Sequence, residues 1–249
     1  QVASEIAAMP DLNQAIASVA LVFDYESAWA WDTQPQGADF DMFRLAFAAY
    51  RALRRAGLSV DILPPDTGDL SPYKLVLAPG LMTLSDNLRA ALATFEGIAL
   101  IGPRSDLKTY DMAIPVPMGP SLPDTDVTVT LTESLPPSDK IKLQGGGRFR
   151  HWFEHLDGTA PVHLSTKAGQ PAIMGGDHLR YLAGWPDDAT FDGIIGGLCD
   201  AASIPTMQLP DGLRVRDTAT TRFFFNYGPK PVTWKDTTIP AAGVHWEAL

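Results

Sequence analysis

A single cysteine, Cys199, occurs among the 249 residues, which excludes an internal disulfide framework and a four-cysteine zinc site. One unpaired thiol fits a reducing compartment, so the cytoplasm is the expected location. No apolar run approaches the roughly 18 to 20 residues of a membrane-spanning helix. Positive charge is scarce: 19 Lys and Arg stand against 29 Asp and Glu, a net charge of -10. Such a balance disfavours the nucleic-acid backbone, so neither nucleic acid nor membrane is an expected partner. Gly80 and Gly102 follow strand-like runs, but neither lies in a G-x-G-x-x-G or Walker pattern, so no cofactor is implied. Internal repeats and low-complexity tracts are also missing. A secretory leader is not recognisable either, since the first residues have no basic stretch and no long apolar stretch. Gln1 is not an initiator and Ser4 to Ala8 read as a helix already in progress, so the chain is expected to begin inside something larger.

What the sequence does contain is an ordinary globular balance, 45% hydrophobic and 19% charged residues. Its length suits one large domain, or one of about 150 to 200 residues with a small appendage. Val19 to Asp32, V-A-L-V-F-D-Y-E-S-A-W-A-W-D, is an apolar run ending in carboxylates and two tryptophans. Buried parallel strands read as continuous apolar runs, and ligand or partner surfaces gather at their carboxyl ends. Val19 to Phe23 is therefore a first strand with a functional tip.

Asp39 to Ala56 carries Phe43, Phe47, Tyr50 and Leu53 near helical spacing, with arginines in the last turns and Gly57 beyond, as dipole and C-cap chemistry requires. Strands follow at Leu58 to Leu63, Tyr73 to Ala78 and Ile98 to Ile101, each stopped by Pro or Gly. Ser85 caps a helix running through Leu88, Leu92 and Phe95. Such alternation predicts right-handed crossovers and a mainly parallel sheet in an α/β fold. From Ile114 to Gly147 prolines and the β-prone Val127 to Thr132 predict added strands and loops. Phe149 to Leu156, Pro171 to Met174 and Leu179 to Ala183 are further strands, and Asp187 to Ala202 is a helix. Beyond Pro205 the pattern is all β, at Leu213 to Val215, Arg222 to Tyr227, Val232 to Trp234 and Val244 to Trp246. About 45 residues rarely fold alone, so this piece is expected to pack on a neighbour.

Four motifs carry potential chemistry. H-W-F-E-H, His151 to His155, matches H-x-x-E-H, whose two imidazoles share a metal when the segment is helical. Its aromatic content favours a strand, where residues four apart lie about 13 Å from each other, and no metal site is expected. Asp24, Glu26 and Asp32 could supply the paired carboxyls of a glycosidase, although acidic residues after a strand are also ordinary loop chemistry. Trp29 and Trp31 alternate, so an extended segment would turn both to one side as a sugar-stacking or partner platform; core packing is the alternative. Cys199, in G-G-L-C-D-A-A, reads as a small core residue.

Several long segments together resemble one family. They are V-F-D-Y-E-S-A-W-A-W, F-R-L-A-F-A-A-Y-R-A-L-R-R-A-G-L-S-V-D-I-L-P-P-D, Y-K-L-V-L-A-P-G-L-M-T-L and I-G-P-R-S-D. In this order they resemble the middle, trimerisation domain of bacterial β-galactosidases of glycoside hydrolase family 42. Y-L-A-G-W-P-D, from Tyr181, resembles the end of that domain, and F-F-F-N-Y-G-P-K-P-V, from Phe223, resembles the family's small C-terminal β domain.

The resemblance implies a three-layer, flavodoxin-like α/β fold similar to a class I glutamine amidotransferase, followed by a small antiparallel β domain. It divides the chain into residues 1–17, a linker from the end of a barrel, 18–205, the trimerisation domain, and 206–249, the β domain. An amidotransferase carries its cysteine two residues after a strand-ending glycine, and here Arg104 holds that place. A guanidinium cannot replace a thiolate, so Arg104 marks a degenerate nucleophile position. The family is a retaining hydrolase of terminal β-galactosides whose two catalytic glutamates lie in an N-terminal barrel, and no position here matches either. The resemblance thus implies no catalytic, cofactor-binding or metal residue in this chain, which would be inactive by itself and meet galactosides only through the parent enzyme. Its implied partners are the parent's barrel and two further copies in a homotrimer, with Tyr25, Glu26, Trp29 and Trp31 as the expected contact surface. Two other classes stay open on the residues alone: a stand-alone amidotransferase-like enzyme, or a carbohydrate-binding module using Trp29, Trp31, Trp234 or Trp246.

Overall fold

Short apolar runs form the centre of the protein. The computed structural model describes residue 3 and residues 7–10, 14–33, 35–37 and 39–249; of the helix expected over Ser4 to Ala8, residues 4–6 lie outside the described residues. In chain order the first strands are β1 (Val19–Val22), β2 (Val60–Leu63), β3 (Leu75–Ala78) and β4 (Ile98–Ile101). All residues of β1, β3 and β4 are buried, as strands covered on both faces require. They are followed by β5 (Thr128–Ser134), β6 (Ile141–Lys142), β7 (Arg148–Asp157), β8 (Val162–Ser165), β9 (Pro171–Gly175), β10 (Leu179–Leu182) and β11 (Gly184–Pro186).

The seven-stranded sheet has the order β2-β1-β3-β4-β10-β9-β8. Its pairs are parallel from β2 to β10, and β9 and β8 add antiparallel on one side. A second, antiparallel sheet has the order β11-β7-β5, with β6 also on β7. The mainly parallel α/β sheet expected from the sequence is present, and so are the small antiparallel sheets after it.

Helices α1 (Tyr25–Thr33), α2 (Met42–Arg55), α3 (Asp86–Ala93) and α4 (Asp188–Ala201) accompany the sheets, and residues 3, 7 and 8 are also helical. Asp41, Ser85 and Asp187 cap α2, α3 and α4, each side chain accepting a backbone N–H three residues on. Each such cap satisfies an N–H that the helix itself leaves unpaired. Met42, Leu45, Ala49, Ala52 and Leu53 give α2 its buried face. It packs against α4, where Arg51 meets Asp188 at 3.0 Å and Arg55 meets Asp192 at 2.6 Å. The helix α1 corrects the sequence reading, which took the residues after Phe23 as an acidic loop or extended segment.

The last residues form β12 (Leu213–Asp217), β13 (Thr221–Asn226), β14 (Val232–Trp234), β15 (Thr237–Ile239) and β16 (Val244–Ala248). They make a three-stranded sheet, β12-β13-β16, and a β14-β15 pair over a separate small core of Leu213, Val215, Phe224 and Ile239. This unit is tied to α2 by the buried Arg54, whose guanidinium donates to the Leu58 carbonyl and, at 3.0 Å, to the Val215 carbonyl. Burial lowers the Arg54 pKa without discharging it, since a guanidinium stays protonated at neutral pH. Arg54→Met keeps much of the volume but leaves two carbonyls without a donor, at a cost of about 1 to 3 kcal/mol each if they stay dry. Limited proteolysis should then cut residues 206–249 well before the α/β unit; an unchanged digestion pattern would refute this role for Arg54.

Candidate functional site

In open α/β sheets ligands bind outside the carboxyl ends of the strands, where the strand order reverses. That point lies between β1 and β3 here, and the chain's own side chains fill it. Asp24, two residues after β1, accepts from the Glu26 N–H at 3.1 Å and the Ser27 N–H at 2.9 Å, and its Oδ2 lies 2.5 Å from the donating Ser27 hydroxyl. The acidic tip of the strand is therefore the N-cap of α1, and its leading carboxylate is buried and spoken for. The Ser27 hydroxyl oxygen in turn accepts the Met82 N–H at 3.0 Å. One turn further, the Trp31 indole donates to the Gly80 carbonyl at 3.0 Å. Gly80 has φ 73°, and a Cβ there would lie 2.9 Å from Met42 Cγ and 3.0 Å from the Trp31 ring, so only glycine closes this crevice.

The loop after β4 completes the plug. Arg104 takes φ 60°, a left-handed conformation that a non-glycine residue adopts at a sharp strand-ending turn only under constraint. Its side chain is buried, with the guanidinium carbon 5.0 Å from the Trp31 ring, 5.1 Å from Phe40 and 5.4 Å from Trp152. Three ring faces around one desolvated cation replace much of the hydration it has lost, each contact being worth about 2 kcal/mol when dry. Its Nη1 has no hydrogen-bond partner among the described residues.

Beside it lies Glu154, fully buried on β7. Glu154 Oε1 accepts from the Arg104 backbone N–H and the Trp152 indole, both at 2.9 Å, and Oε2 accepts from the Tyr181 hydroxyl at 2.9 Å. Burial pushes the Glu154 carboxyl up to about 7, against the opposing effects of those three donors and the Arg104 charge. The same burial pulls Arg104 down to about 10, still protonated at neutral pH. Tyr181 is driven well above its ordinary value by burial and by the Glu154 charge, so it remains a donor. A β-bulge makes this arrangement possible: Gly184 pairs with Phe153 and Trp185 with Arg150, leaving His151, at φ 63°, and Trp152 as extra residues on β7.

Neither of the nucleophile types near or below the sheet is activated. Ser105, next to Arg104, is fully buried, its hydroxyl 3.2 Å from the Ala78 carbonyl and accepting the Leu81 N–H. No histidine bonds to it among the described residues, so it has no base to activate it. Cys199 lies on the buried face of α4, and burial raises its thiol to about 11, the opposite of what a thiolate nucleophile requires. The H-W-F-E-H segment is strand, as its aromatic content predicts. His151 faces Asp39 at 2.7 Å and His155 faces Glu133 and Gln170, so the two imidazoles have separate partners.

The four expected contact residues separate in the structure. Tyr25, Glu26 and Trp29 are exposed on α1, whereas Trp31 is completely buried in the chain's own core. On a helix residues two apart point in different directions, so the shared platform of Trp29 and Trp31 does not form. Sequence reasoning missed the larger feature, which is on α2: Phe43 is 60% and Phe47 47% exposed. Phe23 joins the two helices, 5.0 Å from the Tyr25 ring and 6.1 Å from Phe43, which stacks on Phe47 at 6.1 Å. The result is a continuous aromatic run over α1 and α2, of the kind that marks an interaction surface. Its signal in the sequence is that the apolar positions of α2 exceed one helical face.

Residues 17–205 match the family described as the beta-galactosidase trimerisation domain. This chain belongs to that family. Over 237 residues the trimerisation-domain chain is 39% identical to the β-galactosidase BgaA of a Thermus species and 38% identical to a β-galactosidase of Thermus thermophilus, covering 93% of itself in each case. It spans only 37% of the length of those two relatives. Among solved structures, the β-galactosidase of the psychrophilic Marinomonas ef1 superimposes with a TM-score of 0.85 at 30% identity, over 98% of this chain and 39% of that one. The polyextremophilic β-galactosidase of the haloarchaeon Halorubrum lacusprofundi gives a TM-score of 0.85 at 29% identity, over 98% of this chain and 41% of that one. The trimerisation-domain fold therefore carries its small antiparallel sheets along with it in both. No helix among the described residues is long and apolar enough to cross a membrane.

Proposed function

We propose that this chain is the non-catalytic assembly portion of a β-galactosidase, bringing three copies together through its α/β unit, residues 18–205, with residues 206–249 as an appended β unit. Hydrolysis of terminal non-reducing β-D-galactosides belongs, in this reading, to the whole enzyme, whose two catalytic glutamates sit in a separate barrel. The family membership supports this, and the observation that carries it is the aromatic run of Tyr25, Trp29, Phe43 and Phe47, open to solvent beside a crevice that is shut. Burying such side chains against a partner stabilises by about 25 cal/mol per Å², whereas Arg104 and Glu154 are buried and paired within the chain's own core. Arg104 is then an amidotransferase-like nucleophile position that has turned structural. A homotrimer would act in catalysis by holding one copy's surface against another's barrel, shaping the pocket and excluding water. A reducing cytoplasm suits the unpaired Cys199.

Sedimentation of the 249-residue chain, with an assay on a chromogenic β-galactoside, tests the reading. The expected result is the mass of three chains and no hydrolysis. Turnover by the pure chain would overturn the non-catalytic assignment, and a strictly one-chain mass would overturn assembly through this domain.

A further inference from the structure

A ring of three identical chains cannot be built on a self-complementary patch, because a threefold axis makes every contact head-to-tail. Each copy must present two different surfaces that fit each other. The structure holds two candidates, an exposed apolar segment and a groove that includes Phe47 of the aromatic run.

The segment runs from Tyr110 to Met118, Y-D-M-A-I-P-V-P-M. Tyr110, Met112, Ile114, Val116 and Met118, every second residue, are all exposed, Val116 to 96%. Its base is pinned: Thr109 N–H donates to the Ala113 carbonyl at 2.9 Å, and Met112 N–H to the Thr109 carbonyl at 2.8 Å. Pro115 and Pro117 withhold the N–H groups that strand pairing would use, and the segment joins none of the sheets. Tyr110, Pro115 and Pro117 line one pocket with Asp86 and Arg89 of α3, so the base of the arm lies beside that helix. Asp111 is the arm's only charge.

The groove lies between α2 and the β7–β11 edge, about 690 Å³ in volume and lined by Phe47, Arg44, Arg150, Trp185 and Pro186 among others. Its lining is mixed: Phe47, Trp185 and Pro186 give it an apolar part, and four arginines stand against the carboxylates of Asp39, Asp187 and Asp188, of which Asp39 faces His151. On the rim Arg51 and Arg148 are matched to Asp188 and Asp187, and Arg44 reaches Asp41 only at 3.6 Å. Arg150 is exposed and has no ion pair or side-chain hydrogen bond among the described residues. In a chain of net charge -10, copies repel one another unless the contact itself pairs opposite charges, and α2 carries four arginines and no carboxylate.

We propose that the apolar arm Tyr110–Met118 of one copy lies in the α2–β11 groove of the next, with Asp111 meeting the Arg44 and Arg150 side of the rim, so that three such contacts close the ring. This rests on the assembly reading above and adds to it the two faces and their polarity.

The test uses two variants of the 249-residue chain, each altered only at exposed or half-exposed positions and checked for an unchanged circular dichroism spectrum. Ile114→Lys with Val116→Lys blocks the arm; Phe47→Asp with Arg150→Glu blocks the groove. Each variant alone should sediment as one chain, because each ring contact needs both faces. An equimolar mixture should give a two-chain complex and go no further, since one intact arm and one intact groove allow a single contact. A mixture that stays at one-chain mass, or either variant persisting at three-chain mass while the unaltered chain is a trimer, would overturn the arm-in-groove proposal alone. An unaltered chain that is not a trimer would overturn the assembly reading and this proposal with it.

Discussion

Arg104→Ala should destabilise the chain by about 3 to 5 kcal/mol, the range for removing one partner of a buried charge arrangement. The substitution takes a cation from among the Trp31, Phe40 and Trp152 rings and leaves a void where three aromatic faces converge. It also strips Glu154 of the one positive charge that offsets its burial, though the backbone N–H of residue 104 still donates. Urea unfolding measured at pH 7 reads the loss directly. Arg104→Gly makes the same deletion while removing the strain of a non-glycine residue at φ 60°, worth about 1 kcal/mol, so it should fall between the wild type and Arg104→Ala. A loss below about 1 kcal/mol for Arg104→Ala would mean that the cation is a passenger in its aromatic enclosure.

The second large effect is in pH. Glu154 has a carboxyl raised to about 7 in the folded protein, against about 4.3 in an unfolded chain. Between these values the folded state holds a proton that the unfolded state has released, so stability must fall as pH rises through that window and level off above it. Integrated over the window, at 1.36 kcal/mol per unit, the fall attributable to Glu154 is about 3 to 4 kcal/mol. Glu154→Gln removes the ionisation and keeps an oxygen for the Arg104 N–H and the Trp152 indole. The expected outcome is a stability profile nearly flat between pH 5 and pH 7, measured by urea unfolding at several pH values, where the wild type slopes down. An identical slope in both proteins would assign the pH dependence to other groups.

Both effects arise in a cluster that the sequence discloses only partly. The parallel strands are legible because Val19 to Val22, Leu75 to Ala78 and Ile98 to Ile101 are unbroken apolar runs, which exposed or one-faced strands would not be. The cap Ser85 is legible because its side chain acts locally, within three residues. Helix α1 is not, because Y-E-S-A-W-A-W-D-T lacks a clean apolar stripe and its aromatics suggest a strand. Its position is decided by tertiary contacts, the Trp31 indole on the Gly80 carbonyl and the Ser27 hydroxyl under the Met82 N–H. Arg104 is legible as the absence of a nucleophile, while its aromatic enclosure draws on residues 31, 40 and 152, too far apart in sequence to be joined by periodicity. Glu154 was hidden inside a motif that reads as a metal site, and its burial depends on the bulge at His151, which nothing local announces.

The aromatic run on α2 shows the same limit from the other side. Phe43 and Phe47 have the spacing of a buried stripe, yet Met42, Leu45, Ala49 and Leu53 occupy that role. A helix with more apolar surface than its own core can cover has some of it left over, and only the packed structure reveals which part.

Cys199 has a practical consequence beyond its place in the core. It is the chain's sole thiol, fully buried and raised to about 11, so a thiol reagent finds almost nothing to react with while the protein stays folded. Its labelling rate is therefore a clock for openings of the α4 layer, obtained without introducing any probe. Against that quiet background, a cysteine placed at an exposed position would be the one fast-reacting group in the molecule.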